Sequence, residues 1–389
     1  MTHSKPPADD PAAGAERPPA LPKTLRSLQV LRAFAAFVVV VGHVLEAAQY
    51  RYVDLYRSGI SYATIMGVDV FFCLSGFLMY YTSEGDFAAP GAWRSFLTRR
   101  ALRIYPIYWV ATLATLAAVY WPGSHVTMTG SSAAYVAKSF LLLPQNTGPV
   151  ILQAWTLVHE VRFYAVFGLL LVLCRGPALA VLTLWGAASL AVLVVSYANQ
   201  PLLDSGLAAR ALTYLCHPAS LEFALGVWAA RIVRRRATPL WLDRLLLPAA
   251  AALTLAIMYW FQELKPEAKY YTVTMFAAPS FLLVLGAALA ERRWPRLPIP
   301  AVAVALGDAS YSTYLIHKLI LYPVVYNLFP ASPSPAGLAA WVWVLVAAIH
   351  AAGWLVHVTT ERPLHRLAQR LTRRPPRRPD GPVAAVAGS

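Results

Sequence analysis

The chain has 389 residues, of which 58% are apolar and only 13% are charged. This composition excludes an ordinary soluble protein. Recurring apolar runs of about 20 residues, each able to span about 30 Å of hydrocarbon, predict an all-α polytopic membrane protein. The net charge of +15 does not indicate nucleic-acid binding, because the Arg residues lie in short segments between the apolar runs. Three cysteines without paired spacing support neither a disulfide framework nor a zinc site.

The two ends of the chain differ from its middle. Residues 1–24 are rich in Pro, Ala and charge and lack an apolar period, which predicts a disordered tail. No cleavable signal peptide is recognised, so the first apolar run is expected to act as an uncleaved anchor. We expect a membrane domain over residues 25–370 and a disordered basic tail over 371–389.

The apolar runs predict about ten transmembrane helices, at residues 26–47, 62–82, 102–121, 154–173, 178–197, 211–231, 245–261, 271–290, 302–328 and 338–359. Residues 132–143 are apolar but too short to span the bilayer. They predict an interfacial or re-entrant segment before Pro144.

The distribution of Lys and Arg predicts the orientation. If the amino terminus is cytoplasmic, the inner segments hold 24 Lys and Arg residues and the outer segments hold 6. Under the positive-inside rule this asymmetry predicts that both termini are cytoplasmic, which an even number of spans also requires. The protein is expected to lie in the lipid bilayer of a bacterial inner membrane.

The first predicted span carries two ionisable residues, Arg32 and His43. At 100° and 1.5 Å per residue, their spacing puts them within about 20° of each other and roughly 16 Å apart along the axis. Ionisable residues inside a span are expensive and often functional. The structural alternative is that Arg32 reaches an interface and His43 bonds a backbone carbonyl.

Two further spans carry polar residues toward their predicted outer ends. Asp69 lies about two turns into the second span, and Glu160 lies one or two turns into the fourth. His43, Asp69 and Glu160 are therefore expected at similar depth. The structural alternatives are a cap by Asp69 on an unwound turn and a buried pair between Glu160 and Arg162.

A basic cluster is expected at the inner mouth, where Arg99, Arg100 and Arg103 lie below Arg32. Arg100 and Arg103 share a helical face, which suits a multiply charged anion. Positive-inside topology alone is the alternative explanation for such arginines.

Five segments resemble, in order, the motifs of the acyltransferase 3 family of integral membrane acyltransferases: LRAFAAFVVVVGH, GVDVFFCLSGFLMYY, RRALRIYPIYW, QAWTLVHEVRFY and GDASYSTYLIH. The resemblance covers about residues 25–370. The short WTL-x-x-E form and the lack of a fused soluble domain are most similar to the exopolysaccharide and surface-glycan O-acetyltransferase branch.

The resemblance implies roles for matching residues. His43 is expected to be catalytic, with Glu160 and Asp69 as the acidic members of the site. Arg100 and Arg103 are expected to bind acyl-coenzyme A, helped by Arg32 and Arg99. Further substrate contacts are expected from five motif residues: Trp155, Tyr164, Tyr311, Ser312 and His317. The family often has a second Glu and then Gln after the Glu160 position, where this chain has Val161 and Arg162.

The implied reaction moves an acyl group, acetyl by default, from cytoplasmic acyl-coenzyme A to a hydroxyl of an extracytoplasmic or lipid-linked glycan, with no permanently bound cofactor. His43 would act as general base, which typically contributes 10²–10⁴-fold, and Glu160 would orient its imidazole. Direct transfer is favoured, since no nucleophile elbow surrounds Ser75 or Ser312.

Two other functions would also use polar residues inside a membrane. A glycan or lipid flippase would line its path with charges, although no inverted repeat is evident. A non-catalytic assembly partner would tolerate the loss of His43 and Glu160.

Overall fold

The computed structural model describes residues 25–52, 63–174, 176–198, 206–235, 238–263, 274–331 and 333–372. Within these residues every regular element is helical, which confirms the predicted all-α class. The helices are α1 (Arg26–Arg51), α2 (Ala63–Ser83), α3 (Ala92–Val119), α4 (Ala133–Phe140), α5 (Trp155–Leu173), α6 (Ala178–Ala198), α7 (Gly206–Leu215), α8 (Ala219–Arg235), α9 (Leu240–Glu263), α10 (Ala277–Arg293), α11 (Ala301–Asp308), α12 (Ser310–Asn327), α13 (Pro335–Val356) and α14 (Arg362–Thr372). A π-helical turn, His357–Glu361, joins α13 to α14.

Seven of these helices are long and apolar enough to cross a membrane: α1, α2, α3, α5, α6, α9 and α13. They coincide with seven of the ten predicted spans. The predicted spans 211–231, 271–290 and 302–328 coincide with helices of at most 18 residues that do not meet the same criterion. The count of ten therefore stays a prediction. The predicted amino-terminal tail, and the carboxy-terminal tail from residue 373 onward, lie outside the described residues.

Two predicted spans are each interrupted in the structure. The run 211–231 is divided into α7 and α8 around Pro218, because proline lacks the backbone N–H and disfavours helical geometry at the residue before it. The run 302–328 is divided into α11 and α12 at Ala309. Close to this second break, a Cβ on Gly307 would lie 2.0 Å from the Gln29 carbonyl oxygen, so only glycine allows α11 to approach α1 this closely.

The tightest contact in the core joins α2 to α8. A Cβ on Gly76 would lie 1.9 Å from the Phe223 carbonyl oxygen, and one on Gly226 would lie 1.9 Å from the Cys73 carbonyl oxygen. Small residues allow helix backbones to approach in membranes, where dispersion rather than water exclusion favours packing. The two glycines therefore set the distance between α2 and α8.

Segments predicted to be cytoplasmic contact one another at one end of the helices. The backbone N–H of Arg26 donates to Glu291 Oε1 at 2.9 Å. Glu84, after α2, forms ion pairs with Arg231 and Arg234 at the end of α8. These contacts join segments that an alternating topology places on the same side of the membrane.

Segments predicted to be external meet at the opposite end. Arg51 Nη1 donates to the Tyr326 carbonyl oxygen at 2.7 Å, which joins the ends of α1 and α12. Asn327 Nδ2 donates to the Gly123 carbonyl oxygen at 2.6 Å, which joins α12 to the segment after α3. The ends of the helices thus form two opposite groups, as an alternating topology requires. Which of the two groups faces the cytoplasm stays a prediction.

Candidate active site

One cavity collects residues from α1, α2, α3, α5 and α12 and contains about 770 Å³ of atom-free space, open solvent included. Its charged lining residues are Arg32, Arg100, Arg103 and Glu160. Apolar side chains such as Phe71 form much of the remaining wall. We call this space the arginine cavity. It brings together charged residues from three helices: Arg32 of α1, Arg100 and Arg103 of α3, and Glu160 of α5.

The three guanidinium groups of the arginine cavity form no ion pair within the described part of the chain. Among the described residues, no Asp or Glu oxygen lies within 4.0 Å of Arg32, Arg100 or Arg103. Arg32 Nη1 donates to Gln29 Oε1 at 3.1 Å. With three cations and one carboxylate, the cavity carries excess positive charge and can accept a polyanion. Arg99, by contrast, is exposed and does not line the cavity.

Glu160 is held on the wall of the arginine cavity by two hydroxyl groups. Tyr164 Oη donates to Glu160 Oε1 at 2.5 Å, and Ser75 Oγ donates to the same oxygen at 3.4 Å. The Arg100 guanidinium lies 5.6 Å from the centre of the Tyr164 ring. The tyrosine therefore lies between carboxylate and guanidinium and contacts both.

His43 lies beside His317 rather than beside Glu160. The two imidazole rings are 4.9 Å apart between centroids and inclined by 39°. His43 Nδ1 bonds the Val39 carbonyl oxygen at 3.0 Å, and His317 Nδ1 bonds the Tyr314 carbonyl oxygen at 2.7 Å. No hydrogen bond in the described part of the chain joins His43 to Glu160, and neither imidazole lines the arginine cavity.

The carbonyl contacts fix the tautomer of both neutral imidazoles. A carbonyl oxygen only accepts, so each Nδ1 carries the proton and each Nε2 keeps its lone pair. His317 is fully buried, and its Nε2 has no hydrogen-bond partner in the described ranges. The pair therefore presents unprotonated Nε2 atoms in the interior of the protein.

A hydrogen-bonded group connects the arginine cavity to this histidine pair. Tyr314 Oη donates to the Gln153 carbonyl oxygen at 2.9 Å and lies 2.9 Å from Thr156 Oγ1. Gln153 Nε2 donates to the Leu315 carbonyl oxygen at 2.9 Å. Tyr314 and Thr156 line the arginine cavity, while His317 lies one turn further along α12. Sequence reasoning did not assign a role to Gln153 or Thr156, although both lie within the recognised motif QAWTLVHEVRFY.

Helices α1 and α12 run in the same direction through this region. Arg32 and Tyr311 line the arginine cavity, and His43 and His317, which follow them in α1 and α12, contact each other. Tyr311 Oη also donates to the Ile104 carbonyl oxygen of α3 at 3.0 Å. Predicted spans one and nine must be parallel in an alternating topology, as these two helices are.

Asp69 lies apart from both the arginine cavity and the histidine pair. It is fully buried, and its Oδ2 accepts the Phe276 backbone N–H at 3.2 Å, which links α2 to α10. Its neighbour is the equally buried Glu222 of α8, which sequence reasoning did not identify. The three acidic and imidazole residues expected at one depth therefore occupy three different environments.

Arg162 is fixed by aromatic and oxygen contacts instead of by Glu160. Its guanidinium donates to the Tyr214 carbonyl oxygen and, at 3.0 Å, to Ser220 Oγ. It also lies 5.6 Å from the centre of the Trp185 ring. Glu160 and Arg162 therefore do not form the alternative buried pair in the described part of the chain.

Two other expected residues also lie outside the arginine cavity. The Trp155 ring packs 5.8 Å from the ring of His159.

Ser312 is fully buried and donates to Glu361 Oε2 at 2.5 Å. Glu361 also accepts His357 Nδ1 at 2.8 Å within the π-helical turn. Such turns are frequent at functional sites. The only signal in the sequence for the contact between Ser312 and Glu361 is that Glu361 is an acidic residue at the end of an apolar run.

The chain is similar to known acyltransferases over most of its length. Residues 25–357 match the acyltransferase domain of the acyltransferase 3 family. The exopolysaccharide production protein ExoZ of Rhizobium meliloti (strain 1021) is 31% identical over 315 residues, which are 77% of this chain and 89% of that protein. The acyltransferase MdmB of Streptomyces mycarofaciens is 29% identical over 383 residues, or 90% of this chain and 94% of that protein. No solved structure matches the chain.

These matches confirm the family that the five sequence motifs predicted. The matched region contains every charged residue of the arginine cavity and both members of the histidine pair. With its long apolar helices, the chain belongs to the acyltransferase 3 family and is a membrane acyltransferase.

Proposed function

We propose that this enzyme transfers an acyl group, acetyl by default, from acyl-coenzyme A to a hydroxyl of an extracytoplasmic or lipid-linked glycan. The observation that carries the proposal is the arrangement along α1 and α12. A cavity whose three arginines form no ion pair with the described residues lies at one end, and two imidazoles, whose Nδ1 atoms contact backbone carbonyls, follow further along the same helices.

The proposed donor site is the arginine cavity. Acyl-coenzyme A carries several phosphate groups, which bind best to guanidinium groups that lack a protein counter-ion. Arg100 and Arg103 would bind the phosphates, and Arg32 would extend the positive surface toward the interior. The flexible pantetheine arm would then carry the thioester toward Tyr314 and the histidines.

The proposed general base is His43. Its Nδ1–H contact to the Val39 carbonyl oxygen supports an Nε2 lone pair that can take the hydroxyl proton. The hydroxyl oxygen attacks the thioester carbonyl carbon while its proton moves to His43 Nε2. The tetrahedral intermediate then expels the thiolate of coenzyme A, which takes that proton from the imidazolium. His317 is proposed as a positioning residue, because its ring contacts that of His43.

The two acidic residues receive separate roles in this proposal. Glu160 would order Tyr164 and Ser75 on the donor side and partly balance the arginines. The orientation of His43, which was expected from Glu160, is assigned to the Val39 carbonyl oxygen. Asp69 takes no chemical step, since its contact to Phe276 supports a structural link between α2 and α10.

The glycan acceptor is proposed from the chain's relatives. ExoZ is named for exopolysaccharide production, and it aligns with 77% of this chain. A bacterial inner membrane is proposed as the location, because cytoplasmic acyl-coenzyme A and an external glycan would meet there.

A direct test uses the enzyme purified into lipid nanodiscs with isotopically labelled acetyl-coenzyme A and surface polysaccharide from cells that lack the gene. We expect label in a base-labile ester on the polysaccharide, together with release of free coenzyme A. Movement of the glycan across vesicles without ester formation would instead support a flippase.

A further inference from the structure

A second, smaller cavity lies beyond the histidine pair and contains about 360 Å³ of atom-free space, open solvent included. Its polar lining consists of Thr115, Thr127, Gln153, Lys318 and Tyr322. It shares no lining residue with the arginine cavity. We call this space the lysine cavity.

The lysine cavity occupies the other end of the helices that form the arginine cavity. On α3, Arg103 lines one cavity and Thr115 the other, and twelve residues of helix correspond to about 18 Å. On α12, Tyr311 lines the arginine cavity, and Lys318, directly after His317, lines the lysine cavity. The histidine pair therefore lies between the two spaces along α12.

The lysine cavity belongs to the end of the molecule that is predicted to be external. Thr127 comes from the segment between α3 and α4, and Tyr322 lies one turn before the Asn327 contact to Gly123. This is where a substrate arriving from outside the cell would enter.

Lys318 is a partly buried cation that forms no ion pair with any described residue. No Asp or Glu oxygen in the described ranges lies within 4.0 Å of its Nζ, and Glu46 attracts it only from a greater distance. Its Nζ lies 6.0 Å from the centroid of the Tyr322 ring. Burial of an unpaired charge is unfavourable unless an opposite charge joins it. An anionic ligand would supply that charge.

We propose that the lysine cavity is the acceptor site and that it selects a sugar carrying an anionic group, such as the carboxylate of a uronic acid. This inference rests on the proposed acyl transfer. Lys318 binds the anionic group, while Thr115, Thr127 and Gln153 offer hydrogen bonds to hydroxyl groups. The hydroxyl to be acylated then lies toward the histidine pair.

Gln153 links this acceptor site to the donor site. It lines the lysine cavity, and its backbone oxygen accepts from Tyr314, which lines the arginine cavity. The acceptor therefore binds against the group of side chains that separates the two substrates.

The test compares two soluble acceptors of the same shape, methyl β-glucuronide and methyl β-glucoside, with enzyme in nanodiscs and acetyl-coenzyme A. We expect at least a tenfold higher kcat/KM for the glucuronide. Lys318→Met should raise the KM for the glucuronide at least tenfold more than it raises the KM for the glucoside, while Lys318→Arg should keep the preference. Lys138→Met is the matched control, because Lys138 is exposed on α4 and lines neither cavity.

Several results would overturn this inference while the acyl transfer itself stands. These are equal use of both sugars by the natural enzyme, an unchanged preference in Lys318→Met, or an equal loss with both sugars. Failure to acylate either sugar while polysaccharide is still acylated would also overturn it. A natural enzyme that releases no coenzyme A with any acceptor, polysaccharide included, would contradict the proposed function instead.

Discussion

His43 and His350 form the same local contact and thereby allow a matched test of the proposed base. His43 Nδ1 bonds the carbonyl oxygen four residues earlier at 3.0 Å, and His350 Nδ1 does so at 2.8 Å. His43 adjoins His317, whereas His350 packs 5.8 Å from the Phe37 ring. We expect His43→Gln to lower kcat by about 10²–10⁴-fold, the usual contribution of a general base.

The His350→Gln enzyme should keep its kcat within about threefold, a change of less than 1 kcal/mol in the barrier. Transfer rates of both variants are measured in nanodiscs after size-exclusion chromatography shows equal folded yield. A fully active His43→Gln enzyme would contradict the assignment, and His317→Gln would then be examined as the next candidate.

Arg103 and Arg99 offer a similar comparison at the donor site. Arg103 lines the arginine cavity and has no ion pair among the residues that the structure describes, while Arg99 is exposed and lies outside the cavity. A hydrogen bond to a charged group contributes about 1.5–3 kcal/mol, so Arg103→Gln should weaken acyl-coenzyme A binding by about 10- to 150-fold.

The measurement is the KM for acetyl-coenzyme A, with kcat determined in parallel. Arg99→Gln should leave both parameters unchanged within about twofold, since surface charges contribute about 0–1 kcal/mol. If both variants lose folded protein equally and keep the natural KM, the arginines serve topology alone.

At the scale of single residues, sequence reasoning located part of the site. Helical periodicity on one segment placed Arg100 and Arg103 on a shared face, and both line the cavity, as does Arg32. Periodicity could not pair Glu160 with Ser75 of α2, because depth along a span does not define how neighbouring helices are rotated. The contact of Glu160 with Tyr164, one turn away on the same helix, agrees with their i,i+4 spacing but was not predicted.

At the scale of elements, long apolar runs were predictable and interruptions were less so. The predicted spans 26–47 and 154–173 match α1 and α5 closely. The break between α11 and α12 lies beside Gly307, where α11 approaches α1, and no proline in the sequence marks it. The run 211–231 did contain a signal, Pro218, which hydropathy alone does not weigh.

The contact between α2 and α8 supports a stability prediction. In Gly226→Ala the new methyl group would meet the Cys73 carbonyl oxygen, so the two helices must separate. Overpacking of this kind typically costs about 1–3 kcal/mol. We expect a lower thermal midpoint for Gly226→Ala in detergent, followed by tryptophan fluorescence.

Gly85→Ala is the control for this measurement, because a Cβ at Gly85 meets no atom within 4 Å. Its midpoint should match that of the natural protein. An unchanged midpoint in Gly226→Ala would mean that α2 and α8 are packed less closely than described.

At the scale of the whole molecule, the orientation of the helices can be tested with cysteine labelling. The three natural cysteines are buried, which gives a low background for a membrane-impermeant maleimide. We expect Ser131→Cys to be labelled in intact spheroplasts and Gly85→Cys only after permeabilisation, because Ser131 lies in a predicted external segment and Gly85 in a predicted cytoplasmic one. Both positions are exposed. The reverse pattern would invert the topology and with it the sides assigned to donor and acceptor.

The hydrogen bonds among Gln153, Thr156 and Tyr314 lie where the two proposed substrates would meet. In an enzyme that receives one substrate from each side of the membrane, a continuous water column would let protons flow down their gradient. These uncharged side chains bond one another and backbone oxygens, and none of the described residues lines both cavities. If acyl transfer runs as proposed, they would close the water path, so that an acyl group could change compartment while the proton-motive force is preserved.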